Sequence, residues 1–458
     1  MFKKGYLFWL TIFLSLPIVA VAQTSTSSPY SSRGIGLWED PSNGVYGGMG
    51  GARISSVDSA FSNDYNPASY SYLGKGMPLV SFGLNGQFSS YASQSEKGNA
   101  RAIYISEINI AIPFAKRFGL AIGMRPVLKR GYNFHQYADL LGDSIKYSYL
   151  GNGQVQQAYL GFSVAPLKND RHFLSFGLEG AFNFGSLNKI RVIEFINTTG
   201  LFNASDENSY RIRAFSLKAG AQYRYTISDT RAFSIGAIYQ PQMKWNATKT
   251  DYLYRFAGVY GVNNGPGSVD TMYYVGDDKG SITIPQRLGV GFTWEMKGRE
   301  DSLQHGILHY RLRFSLDYEL MSWSNYSLNF LSNSNSDTSR LSNAQYIRFG
   351  IDFTPHHYFT DSKPNINYMS KVNYRIGFRY GMLPTPINTK QTQNIGVTFG
   401  MGFPIPIRNA SSSINFGVTL GQQGAKGPNS IQEKFVAVQL GIVLSPGSDR
   451  WFRKYKYD

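Results

Sequence analysis

The chain has 458 residues, no cysteine and a formal net charge of +16 at pH 7, and only 16% of its residues are charged. The lack of cysteine excludes disulfides, a cysteine-based zinc or iron–sulfur site and a lipoprotein anchor. Soluble domains carry about a quarter charged residues, whereas 48 Gly, 32 Tyr and 31 Phe suit pleated strands, tight turns and aromatic girdles. The length admits two or three soluble domains or one large β-barrel.

The first residues have the pattern of a secretory signal peptide. Two lysines precede an apolar stretch (residues 6–19), and Ala20-Val21-Ala22 forms a small-residue cleavage site. We expect residues 1–22 to be removed before Gln23 and the mature chain to reach the outer membrane of a Gram-negative cell. A membrane-spanning helix needs about 18 apolar residues. No later run of that length follows, so any membrane insertion must use strands.

Residues 23–77 differ from the rest of the mature chain. They are rich in Gly, Ser, Asn and Asp and contain only short apolar pieces. We expect a hatch, or plug, folded inside a barrel, because a polar and Gly-rich segment can pack against a polar lumen. The alternative is a disordered periplasmic leader. Gly47 to Gly51 lacks the Lys-Ser/Thr of a phosphate-binding loop, so a turn of the plug is the better interpretation.

From residue 78 onward the hydrophobic pattern has a period of two. In the last such run, Val436, Val438, Leu440, Ile442 and Leu444 share one face, and the other face is mostly small or polar. A soluble sandwich also alternates, but its outer face is densely charged. Here one face is an unbroken row of large apolar residues. This pattern is typical of a transmembrane barrel with apolar residues outside and polar residues inside.

The pattern predicts an all-β fold, an antiparallel transmembrane barrel of about fourteen strands with the plug in its lumen. Residues 78–445 form the barrel, and residues 446–458 form a periplasmic carboxy-terminal tail. Short connections alternate with long polar ones, and outer-membrane barrels have short periplasmic turns. The predicted strands are 78–90, 103–115, 118–132, 154–166, 171–187, 210–228, 231–250, 281–296, 309–322, 344–356, 371–382, 392–405, 412–423 and 433–445.

An ordered set of motifs resembles the long-chain fatty acid transporter (FadL, OMPP1) family of outer-membrane proteins, and two of them look like its Bacteroidetes branch. The hatch motif is Asn66-Pro67-Ala68. Other matches are residues 30–36, 47–52, 284–291, 317–324 and 374–380. The resemblance implies a fourteen-stranded barrel with a hatch. The family's own ligand-contact residues have no clear counterpart here, so the resemblance does not identify a ligand.

Inward positions carry charges of both signs. If the alternation is in phase, a lumen network contains Arg125, Arg287, Arg311, Arg313, Asp317, Glu319, Arg348, Asp352, Arg375 and Arg379. An unpaired buried charge is costly, so these groups should pair with each other or with the plug. One interpretation is a structural network that holds the plug. The other is a lining that attracts an anionic, carboxylate-headed ligand.

Two further features concern passage of a ligand. Pro126 lies within the third strand, flanked by Gly123 and Gly131, and proline removes a ladder donor. The strand either ends early or, as the resemblance implies, bends to leave a lateral gap toward the bilayer. Connections 133–153 and 251–280 are expected to be ligand-capture loops. Their apolar residues are Phe134, Tyr137, Leu140, Leu141, Tyr252, Tyr254, Phe256 and Tyr260.

Two functions remain open on the sequence alone. The first is uptake of a hydrophobic, fatty-acid-like small molecule, with gating by the hatch and lateral release. The alternative is a non-transport accessory or scaffold barrel of an outer-membrane protein-export or assembly machine. The expected partners are outer-membrane lipid and lipopolysaccharide, a hydrophobic ligand, and a protein of such a complex. No nucleophile–base set, metal motif or cofactor motif is present, so we expect no enzyme activity, no cofactor and no nucleic-acid binding.

Overall fold

A computed structural model describes most of the chain after the expected signal peptide. The described residues are 28–39, 43–74, 78–94, 96–140, 143–196, 200–260, 268–298, 310–332, 341–356, 367–387, 390–405, 412–427 and 430–445. The expected signal peptide and the carboxy-terminal tail lie outside these residues. No helix in the described residues is long and apolar enough to span a membrane.

Nineteen strands are present in the described residues, and all belong to one sheet. They are β1 Leu37–Trp38, β2 Leu79–Ala92, β3 Lys97–Ala115, β4 Phe118–Lys129, β5 Tyr132–Leu140, β6 Asp143–Lys168, β7 His172–Phe195, β8 Asn203–Ser228, β9 Arg231–Gln240, β10 Met243–Phe256, β11 Ser268–Ile284, β12 Arg287–Lys297, β13 Arg311–Met321, β14 Ser327–Asn329, β15 Ala344–Thr354, β16 Asn373–Ile387, β17 Lys390–Pro404, β18 Ser413–Gln423 and β19 Gln432–Leu444.

The sheet is a closed antiparallel barrel with fourteen wall strands in the described residues, as the alternation predicts. Strand β19 pairs with β2 from Gln432↔Ala92 to Leu444↔Val80 and closes the cylinder. Four wall strands are interrupted once, so that β4 continues as β5, β9 as β10, β11 as β12 and β13 as β14. Strand β1 is not part of the wall. Closure removes the free strand edges that cannot face lipid.

The two faces of the wall follow the predicted phase. Along β19 the even-numbered side chains from Lys434 to Leu444 are exposed or half-buried and point outward, whereas Phe435, Ala437 and Gln439 are buried inside. Large apolar side chains are exposed elsewhere on the outer face, such as Phe215 at 77%. Apolar surface of this kind is stable only against hydrocarbon. The buried interior is correspondingly rich in charged and polar groups.

The two ends of the barrel differ. At one end β6, β7 and β8 extend to 26, 24 and 26 residues, more than twice the roughly 9–11 residues that span a bilayer. At the other end, β3 and β4 are joined by Lys116 and Arg117 alone. Short turns mark the periplasmic side, so we refer to the end with the long strands as the outer end.

The predicted boundaries are wrong at this outer end. Residues 133–153 and 251–280 were expected as loops, but they belong mainly to β5, β6, β10 and β11. Hydrogen-bonded pairing continues past the membrane, because a hairpin in water needs no uniform apolar face. The pattern of large outward residues therefore marks where the hydrocarbon ends and not where the strand ends.

The amino-terminal residues 28–39 and 43–74 lie inside the barrel and make hydrogen bonds to inward wall residues. Regular structure in this plug segment is short. It consists of β1, a turn of α-helix at Gly44–Gly47 and 3-10 turns at Pro29–Ser32 and Pro67–Tyr72. Two further 3-10 turns, Trp323–Asn325 and Tyr368–Lys371, lie in connections of the barrel.

Candidate functional site

One half of the lumen charge network centres on Asp352 of β15. The side chain of Arg313 binds Asp352 and also reaches Asp58 of the plug segment, with 2.6 Å between Nη1 and Oδ2. Arg311 lies 3.4 Å from Asp58, and Arg375 lies 3.4 Å from Asp352. All five side chains are buried. Three wall arginines thus share two carboxylates, one from the wall and one from the plug segment.

The other half centres on Glu319 of β13. Its carboxylate lies 2.5 Å from Nε of Arg287 and 2.8 Å from Nη1 of Arg348, and it accepts a hydrogen bond from the Tyr65 hydroxyl. Asp317, two residues earlier, accepts hydrogen bonds from the backbone N–H groups of Arg53 and Ile54, at 2.5 and 2.8 Å. This wall strand therefore holds the plug segment by charge and by hydrogen bonds.

Two members of the expected network have different neighbours. Arg125 binds Glu179 of β7 and lies 3.2 Å from Asp64 of the plug segment. The guanidinium of Arg379 lies over the ring of Phe435, 5.4 Å from its centroid. Asp58, Asp64 and Tyr65 were not predicted as partners of the lumen charges. The available signal was the presence of two aspartates in a segment that packs against an arginine-rich lumen.

The Asn66-Pro67-Ala68 motif forms a closely packed contact between the plug segment and the wall. The Asn66 side chain accepts a hydrogen bond from the Ala68 N–H and donates one to the Ile54 carbonyl, at 3.1 and 2.8 Å. It also lies 3.3 Å from the wall carbonyls of Ala221 and Ala237. Pro67 begins the 3-10 turn, where its fixed φ is suitable.

Inward-facing glycines make room for this junction. A Cβ on Gly220 would collide with Asn66, and one on Gly177 would collide with the Pro67 backbone. A Cβ on Gly119 or Gly161 would likewise collide with Tyr70. Glycine permits such close backbone approach. The high glycine content therefore serves the packing of the plug segment as well as the turns.

The wall is interrupted between β3 and β4. In the described residues these strands pair only from Ile108↔Met124 to Ala115↔Phe118, so β3 from Lys97 to Glu107 has no β4 partner. The ladder stops one residue before Arg125 and two before Pro126. Gly123 is still paired within it, opposite Asn109. From this point toward the outer end, the wall has an opening between β3 and β4.

At Pro126 the strand bends at a register shift between Pro126 and Leu128, while its pairing with β6 continues to Lys129. Four consecutive residues, Val127 to Arg130, are buried, in contrast to the alternating burial of a wall strand. Strand β1 pairs here as Leu37↔Lys129 and Trp38↔Leu128. Gly131 exchanges hydrogen bonds with the Ser31 hydroxyl, at 2.9 and 3.0 Å. The bend thus joins the wall to the plug segment.

Three polar side chains stand between the bend and the open edge of β3. The Tyr104 hydroxyl donates to Glu39 at 2.5 Å, and Lys129 lies 3.5 Å from the same carboxylate with its ammonium over the Tyr104 ring. Glu39 and Tyr104 also line an interior cavity of about 170 Å³, next to Trp38, Ala437 and Gln439. The cavity therefore adjoins the opening in the wall.

Above this cavity the outer half of the interior is packed with apolar side chains. Trp245 and Trp323 are buried, and the ring of Trp38 from the plug segment lies 6.5 and 6.0 Å from theirs. Leu128, Ile282 and others complete this apolar cluster. This apolar cluster was not predicted. Its signal in the sequence was the presence of apolar residues at inward-facing positions near the outer ends of the strands.

The expected ligand-capture residues do not form one group. Phe134 and Tyr137 lie on β5, where Tyr137 is exposed. Tyr252, Tyr254 and Phe256 lie on β10, and Tyr254 and Tyr260 donate hydrogen bonds to Glu207 at 2.7 and 3.0 Å. Burial and the charge of Glu207 raise the pKa of Tyr260 to about 12. Leu141 lies outside the described residues, and Leu140 is the last residue of β5.

The sequence model of the BamG family matches residues 1–458. The chain belongs to the BamG family. No curated protein matches this BamG-family chain. The motifs resemble the FadL family instead, and a FadL homologue is among the solved structures of similar fold.

Those solved structures share the barrel at low sequence identity. The Pseudomonas putida toluene transporter TodX is 14% identical and has a TM-score of 0.53, covering 89% of this chain and 99% of that one. A Pseudomonas aeruginosa FadL homologue is 12% identical with a TM-score of 0.50, covering 89% and 98%. At these identities the likeness shows the fold alone, and it confirms the FadL-like barrel expected from the motifs.

The described residues contain no group of three or more His, Asp or Glu side chains placed to hold a metal ion.

Proposed function

We propose that this BamG-family chain is an outer-membrane barrel that passes a hydrophobic small molecule, with the plug segment as its gate and lateral release into the bilayer. One observation carries the proposal. The interior cavity beside Trp38 adjoins the opening where β3 and β4 stop pairing. Unpaired backbone cannot face hydrocarbon without a cost of several kcal/mol per group. An opening in the wall therefore needs a functional reason.

The size of the cavity favours a compact ligand. A cavity of about 150 Å³ in another protein accommodates benzene, and the one here has about 170 Å³. This agrees with the toluene transporters among the proteins of similar fold. A fatty-acid-like ligand would need the plug segment to move. Asp58 of the plug segment binds Arg313, and Glu319 binds Arg348 and the Tyr65 hydroxyl, so this part of the arginine-rich network holds the plug segment.

Flux through reconstituted protein tests the proposal. Proteoliposomes with the wild-type barrel should take up toluene faster than empty liposomes. Ala437→Phe fills the cavity from its inward side and should lower the protein-dependent rate at least tenfold. Val438→Phe is the control, because this neighbour points to lipid on the same strand. No uptake above empty liposomes, or equal rates for the two variants, would reject the proposal.

A second function, an accessory barrel of an outer-membrane protein machine, is favoured by the apolar packing of the outer half of the interior. Trp38, Trp245 and Trp323 fill the space through which a ligand would enter from outside. The long β6–β7–β8 hairpins would then be protein contacts. We also propose, from the motifs at residues 30–36 and 47–52, that the chain is related to the Bacteroidetes branch of the FadL family. Purification from native membranes separates the two functions, since an accessory barrel brings a partner in fixed stoichiometry.

A further inference from the structure

A large groove lies on the outward face of the wall, away from the lumen and the lateral opening. It has a volume of about 930 Å³ and crosses β2, β3, β17, β18 and β19 near their outer ends. Small-molecule sites commonly have about 300–1,000 Å³, so this groove is at the upper end of that range. Its floor contains large apolar side chains, among them Phe88, Val397, Leu420 and Val436.

The groove results from small side chains in the outward row. Ser90 pairs with Asn99 on one side and with Lys434 on the other, so no bulky residue stands above Phe88. On the same strand Gly86 adds no side chain to the outward row, and a Cβ built on it would make ordinary contact with Ile103, at 3.8 Å. Elsewhere on the outer surface, large residues such as Phe215 fill the equivalent positions.

Two cations border this apolar floor. Arg101 is the pairing partner of Phe88, and Lys434 is the partner of Ser90 and of Gln422. Both side chains are exposed, and neither has a carboxylate partner in the described part of the chain. A charge on the lipid face of a barrel costs about 2–4 kcal/mol at the midplane and about 0–1 near the interface. Both cations are therefore placed at the headgroup level of the outer leaflet, where an anionic headgroup can balance them.

We propose that this groove is a binding site for a phosphorylated, multiply acylated glycolipid of the outer leaflet, the lipid A class. The acyl chains lie in the apolar groove, and a phosphate lies between Arg101 and Lys434. Arginine and lysine are suited to phosphate, because both donate charge-assisted hydrogen bonds to its oxygens. The site is separate from the lumen, so this proposal does not depend on the transport proposal.

The experiment measures binding of defined lipids to purified full-length barrel in neutral detergent, by native mass spectrometry and by thermal shift. The probes are diphosphorylated lipid A and the same lipid after removal of both phosphates. The double variant Arg101→Gln/Lys434→Gln should weaken binding of the phosphorylated lipid at least tenfold. Arg213→Gln is the control, because it removes an exposed outward cation on β8, two residues from Phe215.

The groove itself is tested by Ser90→Trp, which fills it without changing a charge. This variant should also weaken binding at least tenfold, while heat-modifiable gel mobility checks that the barrel is folded. Inorganic phosphate at millimolar concentration should not displace the lipid. Equal affinity of wild type and the double variant, equal affinity for the two lipids, unchanged affinity of Ser90→Trp, or full displacement by phosphate would each overturn the proposal.

Discussion

Asn66 of the plug segment packs directly on Gly220 of the wall, so closely that no side chain can be added at Gly220. We expect Gly220→Ala to push the Asn66 turn away from β8 while the barrel stays closed. Hydrogen exchange should become faster at Ala68, whose N–H donates to the Asn66 side chain. Gly180→Ala is the control, since a Cβ there meets only Leu217, at 3.9 Å. Equal exchange rates in the two variants would contradict the assignment.

Asn66→Ala tests the same junction from the other side. The substitution leaves the buried Ala68 N–H without its side-chain partner, whereas the Ile54 carbonyl keeps its hydrogen bond from Gln222, at 3.0 Å. Leaving a buried polar group unsatisfied costs about 1–3 kcal/mol. We therefore expect protease cleavage within residues 43–74 at a denaturant concentration where the wall strands remain resistant. Asn99→Ala, an exposed asparagine on β3, should leave the cleavage pattern unchanged.

The ion network should respond far more strongly than a surface pair. Arg313→Leu removes the arginine that bridges the buried carboxylates of Asp58 and Asp352, which keep only longer contacts to Arg311 and Arg375. Removing one partner of a buried ion pair costs about 3–5 kcal/mol. The comparison is Arg191→Leu, which breaks the pair with Asp206, where the side chains are 43% and 31% exposed. A surface pair contributes about 0–1 kcal/mol. Urea-dependent unfolding in lipid vesicles measures both, and similar losses would argue against a buried network.

These contacts also show where sequence reasoning succeeds and where it does not. The alternation from Val436 to Leu444 predicts a strand and the side of it that faces lipid. The same alternation recurs along the chain and predicts fourteen wall strands, because lipid imposes one rule on every wall strand. The pairing of Asp58 with Arg313 joins residues 255 apart in the chain, and no local pattern identifies such a partner. Likewise Pro126 predicts a disturbed ladder, but not that Leu128 packs with Trp38 inside the barrel.

Lipid exposure of the wall can be tested at Leu440, central in the outward row of β19. Leu440→Arg should lower the free energy of unfolding by about 2–4 kcal/mol, because the charge enters hydrocarbon near the midplane. Gln432→Arg lies on the same face at the outer end of the strand and should cost about 0–1 kcal/mol. Folding titrations in vesicles compare the two, and equal costs would contradict the membrane placement.

The last prediction concerns the lateral route. Strand β1 lies between the interior cavity and the bend after Pro126, and the Glu39 N–H donates to the Val127 carbonyl at 2.9 Å. A ligand leaving through the opening must displace this strand. Leu37 and Lys129 are directly paired, and antiparallel partners about 4.5–5.5 Å apart at Cα suit a disulfide.

Leu37→Cys with Lys129→Cys should therefore block toluene flux when oxidised, and reduction should restore it. The chain has no native cysteine, so the bond forms only between the introduced pair. Val418→Cys with Val438→Cys is the matched control, because it links two paired wall strands on the lipid face far from β1. If the oxidised Leu37→Cys/Lys129→Cys barrel passes toluene at the reduced rate, ligand does not leave past β1. If neither state passes toluene and the barrel still retains a stoichiometric protein partner, the accessory function becomes the better explanation of the opening.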